Sequence, residues 1–345
     1  MLGELPTGRS ASMHKVFLNM LECPGCHGLL SWNISEQRGE RIEEAEARCT
    51  ACGATYPVQK GIAFFLVPDL ARHDLWEQAE SHLSRYLSAH AEVERQLMDS
   101  PVEQLSAADQ LLRAMVLTDR GAYSQAQSLH ELAISRLYTP QYLACLDSEI
   151  KQLASSLSPS SWPLVDLASG GGTLIEMLVR QIEQPVIASD FSPTILRRNR
   201  RQLEFLGLAD RVTLLAFDAR RTPFKQGAVK TMTTLLGLSN IEHPTLLLQE
   251  LRRIISGSLL AIVYFFPEGD QEANTATIHA KMDPTFFFRR TTVEQFAAVG
   301  WQVELMNVCM GRAQPTPGSV ILPGTQIDGL PVAETTLEWG LLVAQ

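Results

Sequence analysis

The sequence has no long hydrophobic run and no excess of basic residues. Its longest uninterrupted apolar stretch is LLAIVYFF at residues 259–266, far short of the roughly 20 residues that cross a bilayer. Residues 1–21 contain no sustained apolar segment of the kind found in a secretory signal peptide. These two absences predict a cytoplasmic protein with no membrane partner.

Basic residues are outnumbered along the whole chain. There are 29 Lys and Arg against 38 Asp and Glu, which gives a formal net charge of −9. By segment, residues 1–70 carry 6 basic and 8 acidic groups, residues 71–156 carry 7 and 12, and residues 157–345 carry 16 and 18. Because nucleic-acid binding depends on Lys and Arg contacts to phosphate, this balance disfavours an RNA partner and leaves only a local basic patch open.

The chain divides into three segments by pattern. Residues 1–70 contain paired cysteines and short strand-like runs, and residues 71–156 are helical in pattern with few Gly or Pro breaks. Residues 157–345 alternate apolar strands with amphipathic helices, and end in a predicted hairpin around a Pro/Gly-rich loop at 314–331. The alternation predicts an α/β fold with a doubly wound, parallel sheet whose ligand lies at the carboxyl ends of the strands.

Four of the six cysteines form two C-x-x-C pairs, separated by 22 residues. Two such pairs at this spacing predict a tetrahedral zinc site with four thiolate ligands, which leaves no open position and is therefore structural. A redox site is disfavoured because there are two pairs and neither lies in a βα unit. The predicted ligands are Cys23, Cys26, Cys49 and Cys52.

The other two cysteines, Cys145 and Cys309, stand alone in apolar surroundings. Buried cysteine behaves as a small hydrophobic side chain. We expect both to be packed in the core without a partner.

A glycine-rich turn follows the first apolar strand of the third segment, in LVDLASGGGTL at residues 164–174. A strand that ends on glycines before a helix brings backbone N–H groups close to a ligand. A dinucleotide site would require a third small residue at position 175, where Ile175 stands. Asp190 and Asp218 end the next two predicted strands, where they suit ribose hydroxyls and an adenine amino group, respectively. This pair favours S-adenosylmethionine (SAM) over NAD.

The ordered series DLASGGG, ASDFSPTIL, FDARRTPF, LLGLSNIEHP and LRRIISGSLLAI resembles the motifs of class I SAM-dependent methyltransferases. This resemblance, over about residues 160–265, implies a seven-stranded, Rossmann-like sheet whose last strand is antiparallel. It departs from the usual pattern at Ala168, which replaces a glycine and is tolerated if its φ is negative. The implied cofactor residues are Asp166, Ala168, Gly170 and Gly172 for the methionine part, Asp190 for the ribose, Phe191, Asp218 and Ala219 for the adenine, and Leu236 with Gly237 beneath the sulfonium.

The run CGATYPVQKGIAFFL after the second cysteine pair resembles Trm112-like zinc ribbons. In that family the small domain activates methyltransferases or is fused to them. A ribbon fused to a methyltransferase also resembles bacterial ribosomal RNA guanine methyltransferases. The resemblance divides the chain into a ribbon at 1–70, a helical linker or cap at 71–156 and a methyltransferase domain at 157–345.

Asn240, His243 and Tyr264 are the candidate residues on the substrate side, because they follow the fourth and fifth predicted strands. Methyl transfer needs no acid for its sulfonium leaving group, so positioning can supply much of the rate and a general base is optional. His243 is the obvious base, although Pro244 follows it and a capping or surface role is an equal alternative. The helical segment is either a lid over the site or a packing bridge.

The sequence therefore predicts a SAM-dependent methyltransferase that acts on a small-molecule acceptor and carries a structural zinc ion. One alternative is an rRNA or tRNA methyltransferase whose ribbon grips the RNA. The other is a non-catalytic adaptor whose ribbon binds a partner protein and whose methyltransferase domain is degenerate.

Overall fold

The protein is described by a computed structural model that covers residues 11–70, 83–268 and 273–345. Part of the predicted helical segment, residues 71–82, lies outside these ranges. Among the residues described, no helix is long and apolar enough to cross a membrane.

The N-terminal region is a small antiparallel β-structure. On its central strand, apolar side chains such as Ala45 and Ala47 are buried while Glu46 and Arg48 face solvent, as expected for a strand with one covered face. The central strand β3 pairs with β1, β2 and β4, and β4 pairs with β5. The strands are β1 (Met13–His14), β2 (Leu30–Arg38), β3 (Arg41–Cys49), β4 (Thr55–Gln59) and β5 (Ile62–Phe65).

The middle region is helical, as predicted, over its described residues. Ser106 and Thr139 each accept a hydrogen bond from a backbone N–H of the helix that follows, so they cap α2 and α4. The last of these helices packs along three strands of the C-terminal region, Ile255–Phe265, Val303–Ala313 and Thr335–Ala344. After a helical stretch at residues 83–89, the helices are α1 (Ala91–Asp99), α2 (Ala107–Asp119), α3 (Tyr123–Leu137) and α4 (Pro140–Ser156).

The C-terminal region alternates strands and helices. Its strands are β6 (Leu164–Asp166), β7 (Val186–Asp190), β8 (Val212–Phe217), β9 (Val229–Leu235), β10 (Ile255–Phe265), β11 (Val303–Ala313) and β12 (Thr335–Ala344). Its helices are α5 (Ile175–Gln181), α6 (Pro193–Phe205), α7 (Pro244–Ile254), α8 (Ala273–Lys281) and α9 (Arg289–Ala298).

Seven strands were predicted, whereas the sheet formed by the described residues has twelve. Strands β6 to β12 lie side by side in the order β8-β7-β6-β9-β10-β12-β11, and β12 is antiparallel to both of its neighbours. The N-terminal strands extend this sheet because β5 pairs in parallel with β8, from Ile62 opposite Leu214 to Phe65 opposite Phe217. The sequence could not reveal this pairing because it joins segments about 150 residues apart.

Side-chain contacts also join the N-terminal region to the rest of the fold. Arg253 on α7 forms ion pairs with Glu250 and Glu22, each at 2.8 Å. Beside them, Leu21 forms a β-bridge with Phe224, whose ring lies edge-on to Phe217 at 5.5 Å. One buried cluster therefore runs from the N-terminal strands into the α/β region.

A disulfide joins Cys145 on α4 to Cys309 on β11. Cys145 is buried, as expected, but the prediction that the two cysteines are unpaired is wrong. They are 164 residues apart in sequence, and only the packing of α4 on the sheet brings them together.

Candidate cofactor site and four-cysteine cluster

The glycine-rich turn after β6 is held between the two neighbouring strands. The Leu167 N–H donates to the Thr233 carbonyl and the Ser169 N–H donates to the Ser189 carbonyl, both at 2.8 Å. Gly170 and Gly172 have φ values of +47° and +83°, a region that favours glycine. The backbone of this turn is thus fixed by β7 and β9.

Ala168 was expected to replace a glycine only if its φ was negative. Its φ is +50° instead. A left-handed backbone costs a residue with a side chain roughly 1–2 kcal/mol. Leu236, at the end of β9, is also left-handed, with a φ of +53°. A Cβ on Gly237 would lie 2.9 Å from the Ala168 Cβ, so these two strained turns pack directly against each other.

Asp166 is buried at the end of β6. The Thr233 hydroxyl donates to its Oδ1 at 2.8 Å. Burial raises the pKa of Asp166 to about 7, although hydrogen bonds from Ser169 and Thr233 oppose the shift. A substantial fraction of this carboxyl is therefore protonated at neutral pH.

Asp190 lies at the end of β7 and holds the glycine turn. Its Oδ2 accepts the Gly170 N–H at 3.1 Å and its Oδ1 accepts the Ser192 N–H at 3.0 Å. The two backbone donors fix the direction of the carboxylate, which is nearly buried. The predicted glycine turn and Asp190, the residue predicted to bind the ribose, are thus in direct contact.

Asn199 was missed by the sequence analysis. It is buried on α6, and its Nδ2 donates to the Gly170 carbonyl at 2.8 Å. Within the arginine-rich run it stands four residues from each of Ile195 and Leu203, both buried. This helical spacing could have placed it on the inward face.

Asp218, at the end of β8, is bound by an arginine. Arg220 donates from Nε to Oδ1 at 2.9 Å and from Nη2 to Oδ2 at 2.7 Å, and it lies 3.5 Å from Glu242. The Asp218 and Arg220 side chains are only 7% and 8% exposed. An adenine amino group at Asp218 would compete with Arg220 for the carboxylate, and the sequence predicted no role for Arg220.

The predicted cofactor residues share one edge of the sheet. Strands β8, β7, β6 and β9 are adjacent and parallel, so their carboxyl ends meet at the edge where α/β proteins bind ligands. Phe191 directly follows β7, and Ala219 is the second residue after β8. Parallel pairing brings the carboxyl end of β5 to this edge as well, and just beyond it Asp69 pairs with Arg221 at 2.8 Å.

The substrate-side candidates differ in environment. Asn240 and His243 follow β9 and are exposed, and His243 occupies the N-cap position of α7 without a side-chain capping bond. Tyr264 ends β10 and packs against Trp339, with ring centres 5.2 Å apart. Burial raises the pKa of Tyr264 to about 12, so its phenol is neutral at physiological pH.

The four predicted metal ligands lie together, with all their sulfur atoms within 4.8 Å of one another. Cys23 Sγ is 3.7 Å from Cys52 Sγ, and Cys26 Sγ is 3.5 Å from Cys49 Sγ. A tetrahedral zinc ion with Zn–S bonds of about 2.3 Å requires sulfur separations of about 3.8 Å. The donor set and its spacing therefore fit a tetrahedral metal.

Hydrogen bonding near the cluster favours the thiolate form of Cys49. Hydrogen bonding from the Cys52 N–H lowers the pKa of Cys49 to about 6, and the Tyr56 hydroxyl lies 3.2 Å from Cys23 Sγ. A Cβ on Gly28 would lie 2.9 Å from Cys49 Sγ. Glycine at this position lets the first turn approach the cluster.

Part of the C-terminal region is similar to known methyltransferases. Residues 164–257 match the family model described as a methyltransferase domain. The chain is also 26% identical over 166 residues to the ubiquinone/menaquinone biosynthesis C-methyltransferase UbiE of Methylococcus capsulatus, a match that covers 47% of this chain and 62% of that relative. These findings confirm the prediction of a methyltransferase domain, and the chain spans less than two thirds of the length of this relative.

Two solved structures are also similar. The YcgJ protein of Bacillus subtilis has a TM-score of 0.46 and 13% identity, over 57% of this chain and 97% of that one. Geranyl diphosphate C-methyltransferase of Streptomyces coelicolor A3(2), solved with Mg²⁺, geranyl diphosphate and S-adenosylhomocysteine, has a TM-score of 0.43 and 16% identity, over 59% and 81% of the two chains.

Proposed function

We propose that this chain transfers a methyl group from SAM to a small-molecule acceptor. The observation that carries the proposal is the contact between the Gly170 N–H and the Asp190 carboxylate, at 3.1 Å. It joins the glycine turn after β6 to the acidic end of β7, the pairing expected of a nucleoside-binding α/β site. The match of residues 164–257 to a methyltransferase domain supports it.

The residues at the sheet edge fit the parts of the cofactor. Asp166 and the turn from Ala168 to Gly172 would hold the methionine part, and Leu236 would lie beneath the sulfonium. Asp190 would accept hydrogen bonds from the ribose. Phe191, Asp218 and Ala219 would surround the adenine, with Arg220 displaced from Asp218.

The bound cofactor supplies an electrophilic methyl group whose leaving group departs as a neutral thioether. The chain therefore needs no general acid, and its work is to align the acceptor with the methyl carbon. Tyr264 can orient an acceptor through its neutral hydroxyl. His243 could accept a proton from the acceptor, but it is exposed, so the proton could also be lost directly to solvent.

We further propose that Cys23, Cys26, Cys49 and Cys52 bind one Zn²⁺ with a structural role. Four thiolates complete a tetrahedral shell, so the metal would stabilise the ribbon and take no part in methyl transfer. In this assignment residues 1–70 form a Trm112-like ribbon, 71–156 a helical cap and 157–345 the methyltransferase domain.

A small-molecule acceptor is favoured over RNA by the acidic balance of every segment. The curated relative acts in ubiquinone/menaquinone biosynthesis by its name, which also favours a small organic acceptor. We propose a cytoplasmic location.

Calorimetric titration with SAM and with S-adenosylhomocysteine tests the cofactor assignment. Hydrogen bonds to a charged group contribute about 1.5–3 kcal/mol, so we expect Asp190→Ala to weaken binding roughly 10- to 150-fold. The matched control is Asp147→Ala, which removes an exposed carboxylate paired with Lys151 and should leave affinity unchanged. Equal affinity in Asp190→Ala would exclude the ribose role, and folded wild-type protein that binds neither compound would refute the proposed function.

A further inference from the structure

The turn that follows β8 carries two of the residues proposed to surround the adenine, Asp218 and Ala219. The Arg221 N–H donates to the Asp218 carbonyl at 3.0 Å and closes the turn. The Arg220 N–H donates to the Asp218 Oδ1 at 2.9 Å, so the backbone of the turn also directs the carboxylate. The direction of this carboxylate therefore depends on the conformation of the whole turn.

Thr222 follows the turn and is bound by a glutamate that the proposed mechanism does not use. Thr222 is buried, and its backbone N–H and its hydroxyl both donate to Oε1 of Glu250 on α7, at 2.8 Å and 2.6 Å. Burial alone would raise the pKa of Glu250, but hydrogen bonds from Arg253 and Thr222 hold it below its ordinary value, so the carboxyl is ionised. Two donors on one carboxylate oxygen fix the chain at the end of the turn.

Arg253 holds the Glu250 carboxylate from the other side. It donates from Nε to Oε2 and from Nη2 to Oε1, both at 2.8 Å. A guanidinium that binds both oxygens of a carboxylate fixes its orientation as well as its position. Arg253 also donates to the Phe224 carbonyl and to Glu22 Oε1, each at 2.8 Å. Glu22 directly precedes Cys23, so these bonds reach the four-cysteine cluster.

The N-terminal region also binds the backbone beyond the turn. The Glu22 N–H donates to the Pro223 carbonyl at 2.7 Å, and the Lys225 N–H donates to the Met20 carbonyl at 2.9 Å. The segment after Asp218 is thus held by α7 on one side and by the N-terminal region on the other. A largely buried ion pair adds little net stability because desolvation offsets its attraction. This favours a role in orientation for the charged pair on α7.

We infer that Glu250 is a positioning residue for the adenine site. With Arg253 and Thr222 it fixes the turn so that the Asp218 carboxylate can meet the adenine amino group. Glu250 acts through the turn rather than by touching the cofactor, and Glu22 gives the N-terminal region a part in cofactor selectivity. The inference rests on the proposed function, since it requires an adenine at Asp218.

The test compares two ligands in calorimetric titrations of the full-length protein. One is S-adenosylhomocysteine, and the other is its deamino analogue, in which hydrogen replaces the amino group of the adenine. A hydrogen bond to a charged group changes affinity by at least roughly tenfold, so the wild type should prefer S-adenosylhomocysteine by about that factor. Partial unfolding weakens both apparent affinities equally. The ratio of the two dissociation constants therefore reports the site and not the stability of the protein.

Glu250→Gln removes the charge and keeps the size of the side chain. The preference should fall at least about threefold, because a hydrogen bond weakens steeply once its geometry is lost. Thr222→Val removes only the hydroxyl that donates to Glu250 and should also lower the preference, whereas Thr222→Ser keeps a hydroxyl and should retain it. The matched control is Glu94→Gln, which removes a carboxylate paired with Arg120 in the helical region and should retain the wild-type preference.

An unchanged preference in Glu250→Gln, or an equal loss in Glu94→Gln, would overturn the positioning role. If Glu250→Gln does not fold, the two Thr222 variants decide, and equal preferences in Thr222→Val and Thr222→Ser would overturn it. Wild-type protein that binds both ligands equally would overturn the inference and leave the proposed function standing. Folded wild-type protein that binds neither ligand would refute the proposed function and the inference with it.

Discussion

Replacing Phe65 by alanine tests whether the four-cysteine region and the large sheet unfold as one unit. Phe65 is 1% exposed on β5, the strand that joins the two parts by pairing with β8. Its ring packs against Tyr56 at 5.2 Å and Trp32 at 6.3 Å. Removing a buried Phe side chain costs about 3–5 kcal/mol.

That loss is a large share of the roughly 5–15 kcal/mol by which most folded proteins are stable. If the two parts form one cooperative unit, Phe65→Ala should lower the denaturation midpoint of both by the same amount. The control is Leu29→Ala, which removes a side chain that is 66% exposed and should change stability by less than about 0.5 kcal/mol.

Two probes can follow the two parts separately. All four free cysteines belong to the cluster, since Cys145 and Cys309 are bridged. Reactivity toward a thiol reagent in guanidinium chloride therefore reports the four-cysteine region, and far-ultraviolet circular dichroism reports mainly the helices of the rest. Coincident midpoints that shift together support one unit. A shift in thiol reactivity with unchanged circular dichroism would refute the reasoning.

Three further predictions follow from single side chains. Cys49→Ser should lower the bound zinc measured by mass spectrometry and lower the melting temperature, because zinc binding is coupled to folding; full zinc content would refute the ligand assignment. Burial raises the pKa of Asp166 to about 7, from an ordinary value of 3.8, so the folded state retains a proton that the unfolded chain loses. The free energy of unfolding should thus fall as pH rises from about 4 to about 7, by roughly 1.4 kcal/mol per pH unit at most. The Asp166→Asn variant should lack this pH-dependent component. Identical pH profiles of stability for the two proteins would contradict the pKa shift. Arg220→Ala removes the group that occupies Asp218 and should tighten SAM binding several-fold in calorimetry; weaker binding would show instead that Arg220 contacts the cofactor.

Local patterns were sufficient to predict the glycine turn, the acidic strand ends and the cysteine pairs. Each depends on residues close in sequence: the Gly170 and Gly172 spacing, an aspartate directly after an apolar strand, or two cysteines on one tight turn. The inward position of Asn199 could also have been predicted from its helical spacing, but the surrounding arginines suggested a solvent-exposed helix face. The roles of these residues in binding a cofactor stay predictions.

Side-chain directions and backbone angles that depend on tertiary packing were not predictable in this way. Arg220 is two residues from Asp218, yet whether its guanidinium turns toward that carboxylate depends on the burial of both. The left-handed φ of Ala168 likewise differs from the expectation, and its turn packs against Gly237.

The sequence by itself determined the alternation of strands and helices, the glycine turn and the two cysteine pairs, because side-chain periodicity and backbone preference act over a few residues. Only the tertiary structure decided that β5 extends the sheet beside β8, that Cys145 bridges to Cys309, and that a cavity opens between α6 and the helices α2 and α3. These features depend on which surfaces meet, since a strand edge, a thiol or an apolar helix face has many chemically equivalent partners. The packing of the whole chain selects one of them.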